Sequence, residues 1–298
     1  MNALVPILID GLNYSAWLFI VAVGMTLIFG VMRVLNIAHG SLYAVGAYVA
    51  ATLIGRWFDA DLPAFGSFGL IFASAIGVGL VLGLVLEQGL LRFLHGRDEI
   101  AIVLATFAVF LILEDVVLLI WGTDAYPAYQ PYGLLGTSSI GGIAFTNYDF
   151  SLVVLALVVG GAAWWALNRT RMGKLLLIVI HDREMAQALG INVRLVYPAT
   201  FAIGAMLAAL GGAYSAPMIS VSPGIGVDVI ILSFAVVVIG GLGSIEGAMI
   251  GAVMVGLTRA ASVHLAPQFE LFVIYAIMTL VLIVRPQGLF MRAQARKI

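Results

Sequence analysis

Apolar runs about twenty residues long, broken by short polar clusters, recur along the whole chain. Asp149 and Arg169 bracket one such run, Phe150 to Asn168, with no charged side chain inside it. About 20 residues of helix cross a hydrocarbon core, so this run has span length. Leu195 to Val227, whose only ionisable side chains are Tyr197 and Tyr214, is too long for one span and is expected to hold a helix followed by an outer loop. The runs do not alternate with period two, and lipid satisfies no backbone N–H or C=O group, so helices are expected rather than a barrel. Nine spans follow: Gly11 to Met32, Ile37 to Gly55, Gly66 to Leu90, Ile100 to Gly122, Phe150 to Leu167, Leu195 to Ala216, Val229 to Gly243, Gly247 to Val263 and Leu271 to Val284. Eight remain if one is re-entrant. The expected fold class is all-α, a polytopic membrane helical bundle of eight or nine spans forming a single transmembrane domain over residues 1–298.

Composition strengthens this picture, since 63% of residues are hydrophobic and only 10% charged, against about 45–50% and 25% in globular domains. The lipid bilayer is the expected surrounding, and no nucleic acid is expected among the partners. The 34 glycines suit close helix contacts, as in Gly79-x-x-x-Gly83 and Gly247-x-x-x-Gly251. The absence of cysteine excludes disulfides, thiolate metal sites and cysteine nucleophiles. The first base is Arg33, so the first apolar run lacks the basic flank of a cleaved signal and is expected to stay as a span.

Charge orients the bundle. Asn168 to Arg194 holds five bases against two acids, a net +3 in a chain of net −1. An excess of Lys and Arg marks the cytoplasmic side. Four later spans return the basic tail, with Arg285, Arg292, Arg296 and Lys297, to that side, and Arg92 and Arg97 also fall inside. Thr123 to Asp149, with two acids and no base, then lies outside, as does the N-terminus. Arg56 and Arg259 are the exceptions, near outer span ends where long side chains reach the interface. In the outer segment Tyr126, Tyr129 and Tyr132 interleave with Pro127 and Pro131, the pattern of an interfacial aromatic belt or of a docking surface for an outer partner. Val45 to Val49 faintly echoes Ile250 to Met254, which would make a parallel repeat.

Candidate chemistry is sparse. The chain has no G-x-x-x-x-G-K-[ST] phosphate loop and no H-E-x-x-H site, and His39, His95, His181 and His264 are scattered, so no cofactor and no metal are expected. An embedded enzyme would have to rely on a pair such as His39 with Glu87. Ionisable residues at depth are costly and point to function. Glu114 and Asp115 lie about two helical turns inside the outer end of the fourth span, placed to meet a substrate, a proton, a neighbouring helix or a second subunit. Asn36 and His39, followed by Gly40, are spaced i, i+3 and would share a helical face, capping the second helix or lining a gate near the cytoplasmic end.

Within Asn168 to Arg194, Asp182 is a good N-cap, Glu184 complements the helix dipole in the first turn, and Gly190 is a good stop. They frame a short helix, Arg183 to Leu189. Helices shorter than about 12–15 residues are marginal alone, so this one needs a surface. Met185, Ala188 and Leu189 at i, i+3 and i+4 give it an apolar face for lipid, its own bundle or a cytoplasmic partner.

Glu184 to Gly190 resembles the E-A-A-x-x-x-G coupling loop of ABC importer permeases, with Met185 replacing the first alanine, Ala186 matching the second, and Ala188, Leu189 and Gly190 completing it. Arg33 to Gly40 with Gly46-Ala47-Tyr48, Arg171 to Lys174, Leu189 to Asn192, Gly240 to Ala248 and Arg285 to Phe290 all resemble the branched-chain amino acid ABC permease family, nearest its H-type subunit. The resemblance runs through nearly the whole chain. It implies a permease of an ATP-driven importer for branched-chain amino acids or related small polar or organic acid solutes. It further implies heterodimerisation with an M-type permease, two cytoplasmic ATPases, a periplasmic substrate-binding protein, and a place in the bacterial inner membrane. Coupling would fall to Arg183, Glu184, Met185, Ala186, Ala188, Leu189 and Gly190, and the solute path to Asn36, His39, Gly40, Glu114 and Asp115. At Asp115 the family pattern leads one to expect an amide. The rival class is an ion-coupled secondary carrier or channel that works without an ATPase.

Overall fold

The computed structural model describes residues 4–181, 183–188, 190 and 192–290. The chain runs through α1 (Leu4–Met32), α2 (His39–Asp59) and α3 (Gly66–Leu86). A π turn, Glu87–Leu91, then leads to α4 (Arg92–Leu94), α5 (Glu99–Trp121) and the short α6 (Gln130–Leu134). A hairpin of β1 (Thr137–Ile140) and β2 (Ile143–Thr146) precedes α7 (Asn147–Arg169), α8 (Arg171–His181) and α9 (Arg183–Ala188). The chain continues as α10 (Val193–Ser215), α11 (Ile225–Gly240), α12 (Ile245–Leu265) and, after a 3-10 turn at Pro267–Phe269, α13 (Glu270–Val284).

Every expected span falls on a helix. Among the described residues, seven helical segments are long and apolar enough to cross a membrane. The two other expected spans are α2, which is 21 residues long but less apolar, and α11, which has only 16 residues. The hairpin is the exception to helix: Gly141 and Gly142, at φ +63° and +82°, make the two-residue turn that joins antiparallel strands. The tyrosines of the outer segment tie loops together. Tyr126 exchanges backbone hydrogen bonds with Val221, at 2.7 and 3.2 Å, Tyr129 meets Ser220, and the Tyr132 hydroxyl donates to Asp149 at 3.0 Å.

The core is built around α1 and α2. Leu18, Ile20, Val21, Ala22 and Val23 of α1 are wholly buried, as are Leu42, Tyr43, Ala47, Tyr48 and Ile54 of α2. Helices close on each other at small residues, as lipid-embedded packing favours. A methyl at Gly83 would stand 3.0 Å from the Cα of Ala202, and one at Gly251 would stand 2.6 Å from the Val236 carbonyl oxygen. The two G-x-x-x-G pairs thus mark where α3 meets α10 and where α12 meets α11.

Packing relates the two halves of the chain. α1 lies along α12 as α10 lies along α3, α2 meets α3 as α11 meets α12, and α2 meets α5 as α11 meets α13. On α1, Val21 and Ile28 touch Gly211 and Gly204 respectively, so α1 and α10 run antiparallel. The repeat is therefore inverted. The parallel repeat expected from Val45 to Val49 and Ile250 to Met254 paired α2 with α12, whereas the packing pairs α2 with α11.

Candidate functional site

The α1–α2 connection turns back into the bundle. His39, fully buried, meets the Val21 carbonyl oxygen through Nε2 at 3.0 Å. Val21 lies 11 residues before Met32, or about 16 Å along α1. Arg33 to Ala38 therefore carries the chain inward before α2 starts, and Arg33 holds a left-handed φ of +55° to make the reversal. Two expectations change here. Asn36 and His39 share a turn, with the His39 N–H donating to the Asn36 carbonyl oxygen at 3.3 Å, because α2 begins at His39. They also lie beside the middle of α1 rather than at its end, with both side chains buried. Asn36 is 1% exposed, and neither of its amide atoms has a hydrogen-bond partner among the described residues.

α5 holds this link in place. Thr106 accepts from the Ile37 N–H at 3.3 Å and donates to the Val103 carbonyl oxygen at 3.0 Å, while Ser41 donates to the Phe110 carbonyl oxygen at 3.3 Å. One turn further along, Glu114 reaches the start of α11 and accepts from the Gly224 N–H at 3.2 Å. A carboxylate suits the positive end of a helix dipole. Gly40 and Gly226 touch backbone to backbone beside it, so the N-termini of α2 and α11 meet at Glu114. Asp115 points the other way and is exposed. Glu87 lies elsewhere, 3.8 Å from His95, so His39 and Glu87 make no acid–base pair.

At the basic end of the bundle, Thr170 accepts from the Gly173 N–H at 3.0 Å and opens α8. A methyl at Gly173 would stand 2.5 Å from the Leu167 Cα, so the R-M-G-K glycine permits the sharp α7–α8 corner. α9 follows. Ala186 is fully buried in a cluster with Val34, Leu91, Val179, Tyr197 and Phe201. Met185 is 57% exposed, and Ala188 is exposed as well. The helix therefore rests on its own bundle through Ala186, and the expected face of Met185 and Ala188 looks outward. Gly190 takes the left-handed φ of +80° expected of a helix stop. Arg183 and Glu184 belong to α9, while Leu189 and Asp182 lie outside the described residues.

A cavity of about 640 Å³ opens at the opposite end, lined by Tyr14, Trp17, Tyr43, Asp149, Asp228 and Arg259 among others. Arg259 pairs with Glu270 at 2.6 Å and lies 4.1 Å from the Tyr14 ring centre. Aromatic walls with carboxylates and one guanidinium can receive a small charged or zwitterionic solute. Among the described residues, no three or more His, Asp or Glu side chains cluster as metal ligands would. Thr106, Gly224 and Gly226 were not anticipated from sequence. The only cue was glycine either side of Ile225 at the start of an apolar run.

The family model described as branched-chain amino acid transport system / permease component matches residues 7–282. The high-affinity branched-chain amino acid transport system permease protein BraD of Pseudomonas aeruginosa is 29% identical, with 98% of this chain and 97% of BraD covered. LivH of Escherichia coli K12, a high-affinity branched-chain amino acid transport system permease protein, is 28% identical over 97% of this chain and 96% of LivH. A probable branched-chain amino acid transport permease protein LivH of Methanocaldococcus jannaschii is 30% identical over 95% of this chain and 91% of its own length. With the matched residues spanning the whole inverted bundle, the chain is a multi-pass membrane protein that belongs to the branched-chain amino acid transport system permease family.

Proposed function

We propose that this chain is the transmembrane permease subunit of an ATP-driven ABC importer for branched-chain amino acids or related small polar or organic acid solutes, working by alternating access. The observation that carries the reading is α9: a six-residue helix that rests on the bundle through the buried Ala186, with Met185 and Ala188 exposed. So short a helix depends on its contacts, and a rigid element engaged from both sides is what transmission between two partners requires. Arg183 to Gly190 is accordingly assigned to coupling with an ATPase. The names of the relatives support the substrate class. The partners are an M-type permease, two cytoplasmic ATPases and a periplasmic substrate-binding protein. The charge bias supports a cytoplasmic position for residues 168–194 and the C-terminus of an inner-membrane protein. The chain is itself non-catalytic.

On this reading, ATP closes the ATPase pair, α9 moves with it, and the Ala186 cluster passes the movement to α1 and α10. The 640 Å³ cavity then lies on the side that receives solute. The test is reconstitution of the assembly in proteoliposomes. Glu184→Arg and Gly190→Trp are expected to bring uptake and stimulated ATP hydrolysis down to background while the assembly still purifies intact. Normal uptake by both variants would remove the coupling role. Solute flux through the chain without any ATPase, driven by an ion gradient, would establish a secondary carrier instead.

A further inference from the structure

α5 presents an outward stripe made of Ile100, Leu104, Phe107, Leu111, Leu118 and Leu119, all large, apolar and exposed. Its spacing of mostly three and four is that of a helix-packing seam. Asp115 sits inside this stripe. Its helical neighbours at i−4, i−3, i+3 and i+4 are Leu111, Ile112, Leu118 and Leu119, exposed at 49%, 60%, 38% and 84%. It lies six residues before Trp121, about 9 Å inside the end of a 23-residue span. None of the ion pairs or hydrogen bonds among the described residues involves it.

The other outward faces differ. α3 carries no charge between Gly66 and Leu86, and the charges of α7 and α13 stand within three residues of their ends, at Asp149, Arg169 and Glu270. Those faces suit lipid as they stand. A carboxyl group ringed by leucines does not, because an ionisable group at such depth is costly unless it meets a partner. We propose that the Ile100–Leu119 stripe of α5 is a docking face for a span of the second, different permease subunit, which brings a cationic or amide hydrogen-bond donor to Asp115. Charge complementarity argues against a second copy of this chain. In a two-fold interface the stripe would face its own copy, which between Ile100 and Gly122 brings a second Asp115 and no base to pair with it.

The inference rests on the heterodimeric permease reading and is tested in the complete assembly, in membranes. A photo-crosslinking residue at Leu111 or Leu119 is expected to join this chain to a different membrane chain, at a residue beside a Lys, Arg, His, Asn or Gln identified by mass spectrometry. Asp115→Leu is expected to lower recovery of that chain roughly three- to fifteen-fold, the range of an interhelical hydrogen bond, with Asp115→Asn retaining most of it. Adducts with lipid alone or with a second copy, or unchanged recovery with Asp115→Leu, would overturn the proposal. So would rapid reaction of Asp115→Cys with a water-soluble thiol reagent, since the chain has no other cysteine and such labelling would place the position in a water-filled path. ATP-dependent uptake by the unsubstituted assembly is measured in the same membranes. Uptake alongside lipid-only adducts defeats the docking face and leaves the permease reading standing, whereas flux without the ATPases defeats that reading.

Discussion

Gly40 and Gly226 let two helix starts approach more closely than any side chain allows. A methyl at Gly226 would stand 2.9 Å from the Gly40 carbonyl oxygen and 2.7 Å from Glu114 Oε1. Gly40→Val and Gly226→Val are expected to destabilise the bundle by at least about 1–3 kcal/mol, the usual cost of overpacking. Gly77→Ala, with open space around it, should stay within about 0.5 kcal/mol of the parent. Thermal unfolding in detergent, followed by tryptophan fluorescence, separates the two outcomes. At this scale the sequence was partly readable. Asn36, His39 and Glu114 stood out as polar groups in apolar surroundings, and the structure places them around one buried link. Gly226 and Thr106 did not stand out, because glycine and threonine are ordinary in membrane helices and nothing in linear order relates residue 40 to residue 226.

Capping chemistry marked α9 to within one residue at its described end, yet apolar spacing left open which side faces the bundle. A helix of six residues has fewer than two turns, so several apolar pairings fit it equally and only the neighbours decide. Those neighbours are Tyr197 and Phe201 of α10, across the α9–α10 link, and Leu91 of the π turn, far away in sequence. Ala186→Glu would drive a carboxylate into that cluster and is expected to free α9 from the bundle. Faster hydrogen exchange over 171–188, with uptake lost and assembly retained, is the predicted signature. Unchanged exchange would show that the anchor lies elsewhere. α8 was hidden for a related reason: Arg171 and Lys174 read as loop charge, although Val179, further along, turns inward. The β1–β2 hairpin carried a readable signal in Gly141-Gly142, overshadowed by the tyrosines and prolines before it.

Across the whole molecule, apolar run length located nine helices because lipid imposes the same requirement on each span. The inverted relation between the halves was not readable in this way. It lives in which helices touch, and the two halves share packing partners without sharing recognisable residues. The proposed second subunit likewise rests on a mismatch, one acid on an otherwise apolar face.

The enclosure of α2 has a consequence for how the protein is made. Helices α3, α5, α10 and α11 pack along it, and α1 touches it where Val21 meets His39 and Trp17 meets Tyr43. Two of them, α10 and α11, are synthesised only after residue 192, more than 130 residues beyond the end of α2. During that interval the nascent chain holds its least apolar expected span without its final neighbours, so membrane insertion and folding are expected to be separate events. Chains released after Arg169 should leave a Tyr48→Cys thiol open to maleimide, and full-length chains should shield it. Equal labelling of both would mean that α1, α3 and α5 shelter α2 on their own, and that maturation is complete as each span leaves the ribosome.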